Sequence, residues 1–89
     1  MKIYLLKDAN QNYCIGTTKQ TILSEIRELN EESDNRWTLV DYHETNHRFL
    51  ETLLLMLWRR FHTNNYILKL PIEEVIFFKS TCRKLERSV

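Results

Sequence analysis

Two histidines near the middle of the chain have the spacing of a zinc-hydrolase motif. His43, Glu44 and His47 match HExxH, in which two histidines one helical turn apart bind zinc and the glutamate activates water. That chemistry requires a helix, yet His43 directly follows a segment typical of a strand. The remaining histidine, His62, is fifteen residues beyond His47, which is roughly 20 Å along a helix. We therefore expect surface histidines, with a zinc hydrolase as a remote alternative.

Basic side chains offer a second kind of chemistry, contact with a phosphate backbone. Lys19, Arg27 and Arg48 are the residues that we predict for nucleic-acid binding, with Trp37 or Tyr42 available to stack on bases. The net charge is only +1, so the chain has no overall basic field that would attract nucleic acid. Glutamates in the same region dilute the basic set further, which makes solvated helix faces the competing interpretation.

Composition bounds the class of protein. A chain of 89 residues has room for one small domain, which we assign to residues 1–89. No apolar run approaches the roughly 20 residues of a membrane span, and the first residues lack the pattern of a secretory signal, so we expect a cytoplasmic protein. Cys14 and Cys82 have no metal-binding spacing and should be reduced and buried. The residue usage indicates A+T-rich coding, as in a phage or another mobile element.

The elements that must position these residues begin with a hairpin. Residues 2–7 and 12–16 are rich in β-forming side chains and flank a polar turn, which predicts two antiparallel strands. Gly16 should end the second strand, and Thr17 or Thr18 should cap the helix that follows. That helix is predicted from apolar residues at helical spacing, with glutamates on its solvent side.

The second half of the chain predicts one more strand and two more helices. Residues 37–42 are β-branched and aromatic, which favours a third strand. Residues 45–62 carry a broad apolar stripe of helical spacing. Residues 71–87 predict a last helix, and Phe77 and Phe78 give it apolar surface that we assign to partner binding, either of another macromolecule or of a second copy.

The two hairpin strands, Ile3-Tyr4-Leu5-Leu6 and Tyr13-Cys14-Ile15-Gly16, together with this order of elements, resemble the GIY-YIG nuclease superfamily. The resemblance covers residues 2–66, where Asn64-Asn65-Tyr66 is similar to the segment that closes the family's site. It implies an α+β fold in which helices pack on a small three-stranded antiparallel sheet, with the helix of residues 71–87 added. It also implies a site in which two tyrosines, an arginine and a glutamate surround one divalent metal ion.

The resemblance assigns these catalytic roles to particular residues. Tyr4 has the first tyrosine position, Cys14 stands where the second tyrosine is expected, and Glu51 is the expected Mg²⁺ ligand. The arginine position falls on Ser24, and Arg27 is one helical turn further along. A thiol lacks the reach of a phenol, and one turn displaces the base of Arg27 by about 5 Å.

Two of the four central positions therefore match the family and two do not. The loss of one electrostatic partner of the transition state costs roughly 10²–10³ in rate, and the loss of two leaves little catalysis. We expect a catalytically degenerate domain without a cofactor that binds or inhibits a macromolecule, in particular a host nucleic-acid enzyme if the source is a phage or mobile element. The alternative is an active endonuclease that cleaves DNA with Mg²⁺ through Tyr4, Arg27 and Glu51.

Overall fold

The computed structural model describes residues 1–34, 36–64 and 67–88, which form a five-stranded sheet with helices on both faces. The strands are β1 (Lys2–Lys7), β2 (Tyr13–Thr18), β3 (Thr38–Glu44), β4 (His62–Asn64) and β5 (Ile67–Leu68). The helices are α1 (Ile22–Glu32), α2 (Leu50–Leu57), α3 (Ile72–Ile76) and α4 (Phe78–Arg87), with a short 3-10 helix at Arg59–Phe61. The strand order is β3-β1-β2-β5-β4, and every pairing is antiparallel. The predicted α+β class is confirmed.

The hairpin of β1 and β2 is held by Asp8 at its turn. The Asp8 carboxylate accepts hydrogen bonds from the backbone N–H groups of Asn10 and Asn12 at 2.9 Å and from the Asn12 side chain at 3.0 Å. Burial works to raise the pKa of Asp8, but these hydrogen bonds outweigh it and the pKa is lowered. Gln11, at φ 60°, completes the turn. The predicted hairpin is therefore confirmed.

Gly16 lies inside β2, directly opposite Tyr4 of β1, and the strand continues to Thr18. The prediction that Gly16 ends the strand is wrong, because its role is steric. The Tyr4 ring crosses β2 at this glycine, and an added Cβ would come within 2.6 Å of Tyr4 Cζ. Only a residue without a side chain leaves room for the ring at this position.

Helix α1 begins later than the sequence predicted. Thr21 is its N-cap, and the Thr21 hydroxyl accepts a hydrogen bond from the Ser24 backbone N–H at 3.3 Å. Thr17 and Thr18 both remain in β2. The Thr18 hydroxyl instead accepts the backbone N–H of Gln20 at 3.1 Å, a local hydrogen bond at the turn between strand and helix.

Strand β3 forms one edge of the sheet and pairs with β1. It begins at Thr38 and runs to Glu44, two residues beyond the predicted end, so His43 is a strand residue. Trp37 precedes the strand and is buried in the core on the α1 side. Trp37 is therefore unavailable to stack on a base, which corrects that part of the nucleic-acid prediction.

The predicted long helix of residues 45–62 is much shorter. Helix α2 ends at Leu57, and Trp58 follows as a fully buried C-cap, so the chain changes direction where this large side chain enters the core. After the 3-10 helix, β4 pairs with β5, and β5 joins β2 where Tyr13 lies opposite Leu68. The predicted three-stranded sheet is therefore wrong in strand number. Asn65 and Tyr66, part of the segment similar to the family's closing segment, lie outside the described residues.

The predicted last helix is divided into α3 and α4 at Phe77, which has φ −93° and ψ 19°. The two consecutive phenylalanines point in different directions, because adjacent residues of a helix are about 100° apart. Phe78 is fully buried, with its ring centroid 6.4 Å from that of Trp58. Phe77 is exposed. The prediction of Phe78 as a partner-binding residue is therefore wrong, because the core needs its side chain.

Each face of the sheet carries its own core, because neighbouring residues of a strand point to opposite faces. On one face, Ile3 and Leu5 pack with residues of α2 and α4. On the other face, Tyr4 and Leu6 pack with Trp37 and α1. Both cysteines are free and buried, as predicted. Within the described ranges, no helix combines the length and the apolar character that a membrane crossing needs.

The contact between Gly16 and Tyr4 makes a testable prediction. Gly16→Ala should lower the free energy of unfolding by about 1–3 kcal/mol, because the new methyl group overlaps the Tyr4 ring. Urea denaturation followed by circular dichroism measures the change. The same substitution should cost much less in a Tyr4→Leu background, where the outer ring atoms are gone. Equal costs in both backgrounds would contradict the steric role of Gly16.

Candidate functional site

Tyr4 of β1 and Cys14 of β2 lie on the same face of the sheet and share one core cluster. With Trp37 and Leu29 they line an open pocket of about 400 Å³. Tyr13 belongs to the core on the opposite face, as the register predicted. The hairpin therefore brings a phenol and a thiol together, as expected, and does not supply a second tyrosine there.

The Tyr4 hydroxyl donates a hydrogen bond to the Glu25 carboxylate at 3.0 Å. Glu25 lies in the first turn of α1, so this contact joins the helix to β1. Gln20 Nε2 donates to Glu25 at 3.0 Å and to Glu28 at 3.4 Å, which draws two carboxylates to the same side of α1. The group that meets the phenol is therefore acidic and not a guanidinium.

This environment keeps the Tyr4 phenol protonated. Burial is the largest cause that raises the pKa of Tyr4, followed by the hydrogen bond to Glu25 and by the negative charge of Glu25. Smaller contributions come from Cys14 and Glu51. A phenol whose pKa is raised is poorly suited to take a proton from water, so Tyr4 has the right type for the predicted role but the wrong surroundings.

Glu51 lies in the first turn of α2, on the helix layer opposite α1. Its charge acts on Tyr4, but its effect is the smallest of those that raise the Tyr4 pKa. Burial raises the pKa of Glu51 itself. The lining of the pocket beside Tyr4 and Cys14 does not include Glu51.

Cys14 has the properties of a core residue. Burial raises the pKa of the Cys14 thiol to about 12, and the nearby Asp8 carboxylate contributes in the same direction. The thiol is therefore uncharged at neutral pH, whereas a reactive cysteine needs a thiolate. The structure places Cys14 at the predicted position but in an environment without nucleophilic chemistry.

Arg27 is exposed, and it lies two residues after Glu25 on α1. Two residues turn an α-helix by about 200°, so Arg27 leaves the helix on the side away from Glu25 and Tyr4. Ser24, which holds the arginine position, uses its side chain at the start of the helix, where its Oγ accepts a hydrogen bond from Thr21 Oγ1 at 2.8 Å. The structure therefore brings no guanidinium of α1 to the Tyr4 hydroxyl.

The other residues predicted for nucleic-acid binding are also on the surface. Lys19 is exposed between β2 and α1. Arg48 is exposed ahead of α2, with its guanidinium carbon 5.4 Å from the centroid of the Phe49 ring. Tyr42 is partly exposed, and Lys79 Nζ lies 5.6 Å from the centroid of its ring. Lys19, Arg27 and Arg48 remain predictions for nucleic-acid binding.

The HExxH residues do not form a zinc-hydrolase motif. His43 lies in β3 and His47 in the segment before α2, so the two histidines are not one helical turn apart. His43 Nε2 is 2.8 Å from a Glu86 oxygen of α4, and the Thr45 hydroxyl donates to the other Glu86 oxygen. These residues fasten the last helix to the sheet edge. The zinc-hydrolase alternative is therefore wrong, because the local backbone is strand and loop.

Among residues 1–34, 36–64 and 67–88, no group of three or more His, Cys, Asp or Glu side chains is arranged to hold a metal ion. Glu51 would therefore have to bind Mg²⁺ with substrate and water oxygens as the remaining ligands. Mg²⁺ accepts that kind of coordination, so the type of donor fits the ion. The phosphate that would share the ion fits the site poorly, because Tyr4 is bonded to the Glu25 carboxylate and also feels the negative charge of Glu51.

Glu25 is the residue that the sequence analysis missed, because it was counted with the solvent side of α1. Its position does contain a signal. Glu25 is three residues after Ile22 and one before Ile26, so it borders the apolar stripe of α1 and is half-buried in the structure. A glutamate at such a border can reach a polar atom of the neighbouring strand, here the Tyr4 hydroxyl.

The chain was compared with protein families, curated proteins and solved structures. No protein-family model, no curated protein and no solved structure matches the chain.

The Tyr4–Glu25 pair predicts a measurable change in protonation. Glu25→Gln removes the negative charge next to the phenol, so the pKa of Tyr4 should fall toward its ordinary value of 10.0. Burial remains, so the fall should be partial. The ¹³Cζ chemical shift of labelled tyrosine against pH measures it. Glu31→Gln, an exposed glutamate of the same helix, should leave the Tyr4 pKa unchanged, and an equal fall in both variants would contradict the pairing.

The Glu86 contacts predict a pH dependence of stability. Burial works to raise the pKa of Glu86, but its hydrogen bonds with Thr45 and His43 outweigh it and the pKa is lowered. A lowered carboxyl pKa stabilises the fold above the ordinary value of 4.5, and this stabilisation is lost as pH falls through the folded-state pKa. Glu86→Gln should therefore destabilise the protein at pH 7 and have a shrinking effect below pH 4.5 in denaturation curves. A difference from wild type that does not change with pH would contradict this role of the charge.

Proposed function

We propose that this protein is a GIY-YIG-like domain that has lost phosphodiester cleavage and acts by binding another macromolecule. The hydrogen bond from the Tyr4 hydroxyl to Glu25 supports this proposal more than any other observation. In the nuclease chemistry that the resemblance implies, the phenol faces water and a phosphate beside a guanidinium. Here the phenol is already bonded to a carboxylate.

Electrostatics make the same site unfavourable for a phosphodiester. A phosphate brought to Tyr4 would meet the negative charge of Glu25, with Glu28 beside it and Glu51 on the other layer. Unit charges of the same sign 4 Å apart repel by about 4 kcal/mol at an effective dielectric constant of 20. Arg27, the nearest candidate for neutralising the phosphate, leaves the helix on the opposite side. Binding and transition-state stabilisation are both weakened by this arrangement.

The partner that we favour is a protein. A net charge of +1 provides no general attraction for nucleic acid, and Trp37, one of two aromatic residues available for base stacking, is in the core. The chain nevertheless exposes several large apolar side chains, as protein-binding surfaces do. If the source is a phage or mobile element, as the residue usage indicates, a host nucleic-acid enzyme is the target that we propose.

A nuclease assay tests the loss of catalysis directly. Purified protein incubated with single- and double-stranded DNA and with RNA, across a series of Mg²⁺ and Mn²⁺ concentrations, should release no product above background. The reason is the missing neutralisation of the phosphate at Tyr4, which costs roughly 10²–10³ in rate for each lost partner.

The matched control is Glu51→Ala prepared in the same way, because it removes the expected metal ligand and reports any contaminating nuclease. Wild type and Glu51→Ala should be indistinguishable. Metal-dependent cleavage by the wild type that disappears in Glu51→Ala would establish the endonuclease alternative and overturn the proposal.

A further inference from the structure

Two large exposed apolar side chains, Leu57 at the end of α2 and Phe77 between α3 and α4, line one groove, and we call them the Phe77 surface. Each is at least half exposed, and Phe77 is 58% exposed. Exposed apolar groups that are neighbours in this way mark an interaction surface. Ile72 and Ile76 are also exposed, but each lies about 200° around α3 from Glu74, so they are outside this groove.

The groove has a volume of about 550 Å³ and runs between the end of α2 and the exposed side of α4. Its apolar walls are Leu57, Phe77 and Leu85. Small polar residues, Ser80 and Thr81, lie between these walls. A groove of this size with apolar walls can accept an aromatic side chain, and Phe77 beside it is an aromatic side chain left without cover.

Charge is distributed unevenly along the same helices. Glu73 and Glu74 lie in the first turn of α3, whereas Lys84 and Arg87 lie in the last turn of α4. Glu74 and Lys84 both line the groove, and they are ten residues apart along the α3–α4 segment. The surface is therefore acidic at its start, apolar in its middle and basic at its end.

We propose that the Phe77 surface binds a second copy of this chain, with the α3–α4 segments antiparallel about a two-fold axis. Such a surface is complementary to itself only in this orientation, because a parallel copy would place basic end on basic end. The antiparallel copy sets Glu74 near Lys84 of the second copy and places Phe77 in the second copy's groove. The helix dipoles of two antiparallel α4 helices are also favourably aligned, and a two-fold interface uses the same patch twice.

Sedimentation velocity over a range of protein concentrations tests this dimer. The wild type should pass from monomer to dimer with rising concentration, and Phe77→Asp should raise the dissociation constant roughly 30-fold or more, as expected for a central aromatic anchor. Phe49→Asp is the matched control, since Phe49 is also 58% exposed and lies at the other end of α2. It should dimerise like the wild type. A wild type that stays monomeric at all concentrations, or an equal loss in both variants, would overturn the proposal.

Charge exchange tests the orientation. Lys84→Glu should weaken the dimer because it places a new carboxylate near Glu74 of the second copy, and adding Glu74→Lys in the same chain should restore it. Glu74 also accepts a hydrogen bond from Trp58 at 3.3 Å, so circular dichroism must confirm folding of the double variant. Lys19→Glu makes the same charge change at an exposed site elsewhere and should have no effect. Weakening by both lysine variants alike would contradict the specific contact.

Disulfide trapping does not depend on charge or on Glu74. Ser80 is exposed near the middle of the paired segments, so Ser80→Cys should form a disulfide-linked dimer under mild oxidation. Ser88→Cys, also exposed, should not, because two copies of residue 88 would be more than about 20 Å apart in the antiparallel arrangement. Equal cross-linking of both variants would contradict the orientation. The proposed dimer does not depend on the proposed loss of cleavage. Sedimentation velocity reports only the dimer and the nuclease assay reports only cleavage, so each proposal can fail while the other holds.

Discussion

The arrangement of the hairpin and the first helix depends on where the Tyr4 ring lies. The ring crosses β2 at Gly16, the one place on that strand where no side chain stands in its way. From there its hydroxyl reaches Glu25, so a single side chain links two strands and a helix. A shift of one residue in the pairing would bring a side chain under the ring and turn the apolar residues of β1 to the wrong faces. The same contact occupies the candidate site with a carboxylate.

The other face of the sheet is organised by two large side chains. Trp58 and Phe78 are both fully buried, and they pack against each other in the core that also contains Ile3 and Leu5 of β1. Trp58 marks the end of α2, and Phe78 marks the point where the last helix enters the core. Glu86 then ties α4 to His43 and Thr45 at the sheet edge. The histidines that resembled a metal motif in the sequence thus take part in attaching a helix.

The cores on the two faces of the sheet bury some of the residues that had been predicted to be functional and leave others exposed. The core uses Tyr4, Cys14, Trp37 and Phe78, four residues that were predicted from the sequence to have catalytic, stacking or partner-binding roles. Phe77 stays outside because adjacent residues of a helix point about 100° apart, so only one of the two phenylalanines turns inward. The exposure of Phe77 and the contact of Tyr4 with a carboxylate therefore arise from the same requirement, which is to fill both faces of a small sheet.

The hairpin, the α+β class, the burial of both cysteines and the opposite directions of Tyr13 and Cys14 could all be predicted from the sequence. They follow from turn chemistry and from the alternation of strand residues, which depend only on short segments of the chain. The extension of the sheet by β4 and β5 could not be predicted, since β4 pairs with β5 and only β5 joins the sheet, through a contact with the distant strand β2. The sequence also could not assign Glu25 to Tyr4 or Phe78 to the core. These contacts depend on which helix packs on which face of the sheet. That arrangement is a property of the tertiary structure, because it requires both cores to be filled at the same time.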